Sequence, residues 1–364
     1  MSTAEAPPIS PAIWEEPARG GFPDPRLLGL SGLEQIRAFL DRKVPPPPIH
    51  HLTGMIPTAG EAGSATFEMP ATPWLLAPIE FLSLGVLAML ADGSLGCAVQ
   101  TELPPATPYT TSDLSLSFLR PVDADGGILR APARVIHAGR SLGVADTLIS
   151  DAQGRPVAHG TTRCFILPAI DPAPEPPAEL AVYELPPTDT PDPYLRPVAG
   201  EPLRQEVWDR MNGLEIMRGL INGTLAPPPL SHLTGLRAVE AEEGACSFSL
   251  PSSLWLCSPS GFVEGGAIAM LADSALASAV QTTCPPRTAF TPLDLKVNFV
   301  RPVVPDGRDL IARARVTHRG KTMAVAAVEL ENADGKRVAV GTGTALVRQD
   351  HPWRPEEPAA PGED

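Results

Sequence analysis

The sequence predicts an α+β protein built twice: two copies of one unit, each a long central helix wrapped by an antiparallel β-sheet. Three observations carry this. A set of motifs recurs at one fixed offset. Each copy holds one long apolar stretch rich in Ala, Gly and Ser and free of proline. In the clearer second copy, that stretch is followed by four strand-like runs separated by turn signals.

The repeat comes first because everything else is read against it. His51-Leu-Thr-Gly54 returns as His232-Leu-Thr-Gly235, Met89-Leu-Ala-Asp92 as Met270-Leu-Ala-Asp273, Phe118-x-Arg-Pro121 as Phe299-x-Arg-Pro302, and His137-x-Gly139 as His318-x-Gly320, each pair 181 residues apart. One offset held from His51 to Gly139 leaves no insertion between the copies. The expected division is an N-terminal extension at 1–31, a first unit at 32–167, a proline-rich linker at 168–212, a second unit at 213–347 and a tail at 348–364. Proline fixes φ and removes a donor, so 168–200 reads as an extended connector with no core of its own. The tail and the first twenty or so residues are expected to be disordered.

In the second copy, residues 213–224 place Leu214, Ile216, Met217, Leu220 and Ile221 at helical spacing, ending at the Pro227-Pro228-Pro229 run. Residues 233–240 and 245–250 read as strands joined at Glu243-Gly244. Residues 262–281 read as the long helix, which stops before Pro285-Pro286. Strands are expected at 290–300, 310–318, 323–331 and 337–347, with turns at Pro305-Asp306-Gly307, Arg319-Gly320 and Asp334-Gly335. A helix this apolar needs cover on most sides, so the sheet must wrap it.

Composition sets the outer limits. The chain has 364 residues, 43% of them hydrophobic, enough for two cores; aromatics are 5%, so those cores must be aliphatic and alanine-rich. A net charge of -14 argues against nucleic acid and anionic membrane surfaces as partners, while a local cationic cluster can still hold an anionic ligand. The five cysteines are odd in number and lack metal-ligand spacing, which predicts free thiols in a reducing cytoplasm and no metal site. The N-terminus has neither the basic start nor the apolar core of a signal peptide. The apolar runs 81–99 and 262–280 carry Asp92, and Glu264 with Asp273, so they read as buried helices and not membrane spans.

A family resemblance rests on several stretches together. The second copy has Pro259-Ser-Gly-Phe-Val-Glu-Gly-Gly266 followed by Ala269-Met-Leu-Ala-Asp273. Both copies have the opening helix, a proline run, F-x-R-P, H-x-G-[RK] and a closing V-A-x-G-T strand (157–161 and 338–342). This ordered set resembles the PaaI-like acyl-CoA thioesterases, whose P-x-G-x-V-H-G-G loop opens a helix bearing L-A-D. The resemblance implies two tandem hot-dog domains and hydrolysis of an acyl-CoA thioester. Glu264 stands where that family has histidine. The first copy departs further, with Ser83, Leu84 and Gly85 at the histidine-glycine-glycine positions.

The resemblance also implies a glycine N–H at the helix start as oxyanion donor and an acidic side chain as nucleophile or base. A helix start supplies unpaired N–H groups and the positive end of the dipole. Gly265 and Asp273 are eight residues apart on one helix, about 12 Å along its axis, so they cannot share one carbonyl. A working site must therefore pair one helix's start with the other helix's aspartate, by antiparallel packing. Two such sites are expected: Gly265 and Gly266 with Asp92, taken as the competent one, and Leu84 with Asp273, where the leucine side chain obstructs the approach. The alternative for either aspartate is structural, as a cap on a neighbouring backbone group or an arginine partner. Glu264 reads as a second acid or a loop anchor; ionised, it opposes an oxyanion beside it. Arg140, Arg319, Lys321, Arg120 and Arg301 are candidate contacts for the phosphates of coenzyme A, which enters as part of the substrate, no separate cofactor being expected. A homodimer of the double unit is the expected assembly. The rival functions are a non-catalytic acyl-CoA-binding protein and a hot-dog hydratase or dehydratase, which needs a histidine that neither central helix carries.

Overall fold

The computed structural model describes residues 8–125 and 127–350. Helix α1 (Gly32–Leu40) starts at a capping box between Ser31 and Glu34, α2 (Pro48–Thr53) is short, and β1 (Ile56–Glu61) and β2 (Ser64–Pro70) form a hairpin. The long helix α3 (Leu84–Gln100) leads into β3 (Tyr109–Phe118), β4 (Ile128–Ala138), β5 (Leu142–Ser150) and β6 (Pro156–Ile166). After the linker, α4 (Gln205–Arg210) precedes the second round: α5 (Gly213–Asn222), α6 (Pro229–Thr234), β7 (Arg237–Glu242), β8 (Ala245–Pro251), α7 (Gly265–Gln281), β9 (Thr288–Phe299), β10 (Asp309–Arg319), β11 (Met323–Glu331) and β12 (Arg337–Gln349). The strand expected from residue 233 starts later, because Leu233 and Thr234 complete α6, which ends at left-handed Gly235 (φ 79°).

All twelve strands form one antiparallel sheet in the order β1-β2-β4-β5-β6-β3-β9-β12-β11-β10-β8-β7. Its halves join where β3 meets β9, with Ser115 opposite Lys296. These are equivalent positions of the two copies, so a pseudo-twofold axis passes through that pair. In each half the strands curl over one helix: α3 contacts β2, β4, β5 and β6, and α7 contacts β8, β10, β11 and β12. Both helices are buried on nearly every face, which explains residues such as Leu87, Met89, Leu271 and Ala275 with no polar stripe between them. Each opening helix abuts the far end of its long helix: a Cβ on Gly32 would lie 1.7 Å from the Gln100 carbonyl oxygen, and one on Gly213 1.7 Å from that of Gln281. Only glycine fits there.

The segments outside the two units depart from expectation. The N-terminal region is packed from residue 8, and Ile13 is 2% exposed within the main core. The linker does have a small core contact, Leu180 against Leu27, Ala38 and Val44. A single 3-10 turn at Ile13–Glu15 has its counterpart at Pro193–Leu195, and Pro17 and Gly20 match Pro197 and Gly200, 180 residues on. The second half of the linker is thus the second copy's own N-terminal arm. The arms are exchanged: the Glu16 carbonyl accepts from Trp255 Nε1 (3.0 Å) in the second unit, and the Arg196 carbonyl accepts from Trp74 Nε1 (2.9 Å) in the first. Arg196 and Glu16 pair at 2.7 Å where the arms meet. The tail expected to be disordered lies, from residue 351, outside the described residues.

Because Ile13 fills core space belonging largely to the second unit, Ile13→Ala is expected to cost about 3 kcal/mol of unfolding free energy. Urea titration of the full chain, followed by tryptophan fluorescence, measures this; a cost below about 1 kcal/mol would show that the arm is not part of the core.

Candidate active site

The two long helices cross antiparallel through their N-terminal halves. A Cβ on Gly85 would lie 2.7 Å from Met270 Cα, and one on Gly266 2.4 Å from Met89 Cα, so glycine at both positions lets the backbones touch. That approach puts each aspartate at the other helix's start. The N–H of Gly266 donates to Asp92 Oδ2 (2.9 Å), and the N–H of Gly85 donates to Asp273 Oδ2 (2.8 Å). Asp92 therefore sits at the start of α7, bonded by the Gly266 N–H and also by that of Gly265, and Asp273 at the start of α3, where the donor is Gly85 and not Leu84.

The surroundings of the two carboxylates differ. Asp92 also accepts from Thr111 Oγ1 (3.3 Å), whose counterpart is Pro292; Asp273 is instead bonded by the Ser83 hydroxyl. Ser83 is the N-cap of α3 and accepts from the Val86 N–H (3.3 Å). The equivalent N-cap of α7 is Glu264, 6% exposed, which makes no side-chain cap bond and leaves Oε2 without a partner among the described residues. Burial first, and then the Asp92 charge, hold the Glu264 carboxyl well above its usual range. Burial pushes Asp92 and Asp273 up to about 6, offset in part by the helix-start N–H bonds.

A cavity of about 400 Å³ opens at the Asp273 pair. Asp273, Ser83 and Leu84 line one end, and Ser274, Ala277, Ser278 and Gln281 run along one face of α7, with Phe290 and Trp208 on the walls. The repeat explains why space exists here. In the first unit, His50 stacks edge-on against Phe39 (5.5 Å) and Phe67 (6.1 Å); at the matching positions the second unit has Ser231, Leu220 and Phe248, all on the cavity wall. The sequence pointed to Gly265 with Asp92 as the competent pair. This cavity adjoins the other aspartate, Asp273, and the Leu84 side chain lines its wall.

The candidate phosphate contacts Arg140, Arg319, Lys321, Arg120 and Arg301 are all exposed and do not line the cavity. Arg319 donates to Thr283 Oγ1 (3.0 Å) at the far end of α7, and Arg301 to the Arg337 carbonyl (2.6 Å). Arg237, which the sequence reading passed over, does line the cavity and pairs with Asp309 at 2.8 Å. Thr111 was missed as well, and Ser83 was named only as the residue standing opposite Glu264, without its bond to Asp273. Among the described residues no group of acidic, His and Cys side chains has metal-binding geometry, the cysteines are free, and no helix is long and apolar enough to cross a membrane.

Comparison with known proteins defines the class. Residues 260–339 match the Thioesterase superfamily and residues 40–166 the Acyl-CoA thioesterase C-terminal domain. The two matches, one in each half of the chain, mark it as a thioester hydrolase. A tesB protein of Mycobacterium avium subsp. paratuberculosis is similar in fold, at 13% identity over 87% of this chain and 99% of that one (TM-score 0.51). A hot-dog protein of unknown function from Alicyclobacillus acidocaldarius aligns at 14% identity over 85% and 98% (TM-score 0.49), and the PaaI protein of E. coli at 26% over 32% and 81% (TM-score 0.30). No curated protein matches the sequence.

The raised carboxyls have a consequence for stability. Their ordinary value is 3.8, and in the fold they titrate at about 6. A raised folded value means stability is fully present below pH 3.8 and lost as pH rises through about 6, on the order of 3 kcal/mol for each group. Asp92→Asn keeps an acceptor for Gly266 and removes the ionisation. Relative to wild type it is expected to gain stability between pH 4 and pH 7, measured by urea unfolding at both; an unchanged difference would show that Asp92 ionises freely.

Proposed function

We propose that the chain is a tandem pair of PaaI-like hot-dog domains that hydrolyses an acyl-CoA thioester where Asp273 of the second unit meets the start of α3 in the first. The observation that carries this is the cavity with one end lined by Asp273, Ser83 and Leu84. The two helix starts differ in the same sense. The N-cap there, Ser83, bonds the carboxylate that would act, whereas the N-cap on the Asp92 side, Glu264, makes no side-chain cap bond.

In this reading Asp273 accepts a proton from water as the water oxygen attacks the thioester carbonyl carbon. The oxyanion forms against the Leu84 N–H at the start of α3, the Gly85 N–H being taken by Asp273 and the Val86 N–H by Ser83. Collapse breaks the C–S bond, and the proton returns from Asp273 to the leaving thiolate. Ser83, bonded to Asp273, fixes the carboxylate orientation. Asp92, Gly265, Gly266 and Glu264 form the pseudo-symmetric structural counterpart, in which Asp92 caps α7. Arg237 adds a cation at the cavity for the coenzyme A phosphates, with Arg140, Arg319, Lys321, Arg120 and Arg301 as outlying contributors. A homodimer of the chain and a cytoplasmic location complete the proposal; light scattering and cell fractionation test them.

Thiol release from a panel of acyl-CoAs tests the assignment. Asp273→Asn is expected to lower kcat by about a hundredfold or more, Asp92→Asn by less than about tenfold. Wild-type kcat/KM is expected to rise with pH through about 6 as Asp273 ionises. Loss in Asp92→Asn with activity kept in Asp273→Asn would transfer the reaction to the other helix start.

A further inference from the structure

The far end of the cavity carries a donor with nothing to bind. Gln281, on the last turn of α7, is 6% exposed, lines the cavity, and has no hydrogen-bond partner for Nε2 among the described residues. A buried amide left unpaired is costly, so natural folds seldom retain one without a use.

The other copy shows what normally satisfies this amide. Its equivalent, Gln100, donates through Nε2 to Gln35 Oε1 (3.0 Å) and accepts from Tyr109 Oη (3.4 Å). In the second unit those two partners are Ile216 and Phe290. Both side chains that would satisfy the amide have become hydrocarbon, while the glutamine has stayed and faces a cavity.

Resting on the reading that Asp273 is the catalytic base, the geometry points to Gln281 as the specificity determinant for an acyl group that carries a neutral oxygen. Asp273 and Gln281 are eight residues apart on one helix, about 12 Å along the axis. Allowing a contact of about 3 Å at each end leaves roughly 6 Å between the thioester carbonyl carbon and the acceptor oxygen. The acceptor is a hydroxyl, ketone or ether oxygen and not a carboxylate. Asp273 already contributes negative charge to the lining, and the guanidinium of Arg237 is shared between Asp309 and, in the reading above, the coenzyme A phosphates; a further anion on the acyl group would be buried without a counter-ion.

The test compares 5-hydroxypentanoyl-CoA with hexanoyl-CoA, which differ only by a terminal hydroxyl in place of a methyl. Wild type is expected to favour the hydroxylated ester in kcat/KM by between about fivefold and a hundredfold. Gln281→Leu is expected to invert the preference. Ile216→Gln, which restores the partner found in the first unit, is expected to abolish it with Gln281 still in place. The same ratios are read as dissociation constants with non-hydrolysable thioether analogues. That measurement stands apart from catalysis: if Asp273→Asn stays active but the binding ratio follows Gln281, the assignment of the base fails and this one holds. Equal binding of the two analogues by wild type, or a preference that survives both variants, overturns it.

Discussion

The structure depends on two glycines that let the long helices touch. At Gly85 and Gly266 any side chain would strike the backbone of Met270 or Met89. Contact at that distance brings the first turn of each helix to the middle of the other, and only there does an aspartate find unpaired N–H groups within hydrogen-bond reach. A buried carboxylate needs such partners, and a helix start needs an acceptor, so the two deficits meet each other. The edge pairing of β3 with β9 then follows from the same axis, and the sheet becomes continuous because its two halves are fixed by the helices beneath.

Duplication relaxed the symmetry this axis would impose. In a dimer of identical chains both helix starts must carry the same residues. Here one has Ser83 and the other Glu264, one wall has Phe39 and His50 and the other Leu220 and Ser231. Aromatic contacts of Phe39 and His50 pack one side, and the cavity beside Asp273 borders Leu220 and Ser231 on the other. A single gene copy cannot give the two junctions different linings.

Much of this was legible before any coordinates. The constant offset of the motifs pointed to two copies of one unit, and the apolar runs at 81–99 and 262–281 to buried helices, which the structure places at Leu84–Gln100 and Gly265–Gln281. Even the cross-helix pairing followed from the rise of a helix. What was not legible was which pair faces open space, because a cavity is the sum of missing side chains on several elements: Ser231 from α6, Leu220 from α5 and Ala277 from α7 only mean something once they are neighbours. The arms were misjudged for a related reason. Their prolines and few apolar residues satisfy a description of disordered chain, yet Ile13 and Trp14 act by docking on a surface more than half the sequence away. The matching Pro17-x-x-Gly20 and Pro197-x-x-Gly200 were present in the sequence, but the one-residue shift in offset hid them from a search at 181.

The exchanged arms impose an order on synthesis. The segment around Ile13 leaves the ribosome early, but its partners Ser253 and Trp255 are encoded 239 residues later than Trp14 and Glu16. At bacterial or eukaryotic elongation rates that gap is roughly 10 to 50 seconds. For that interval the first unit can close around α3 while its own arm has nowhere to go, and the place on the first unit where an arm belongs waits for residues 193–196. The nascent chain therefore carries an apolar strap and a matching uncovered groove that are kept from each other by register alone, and native closure of either half awaits the other.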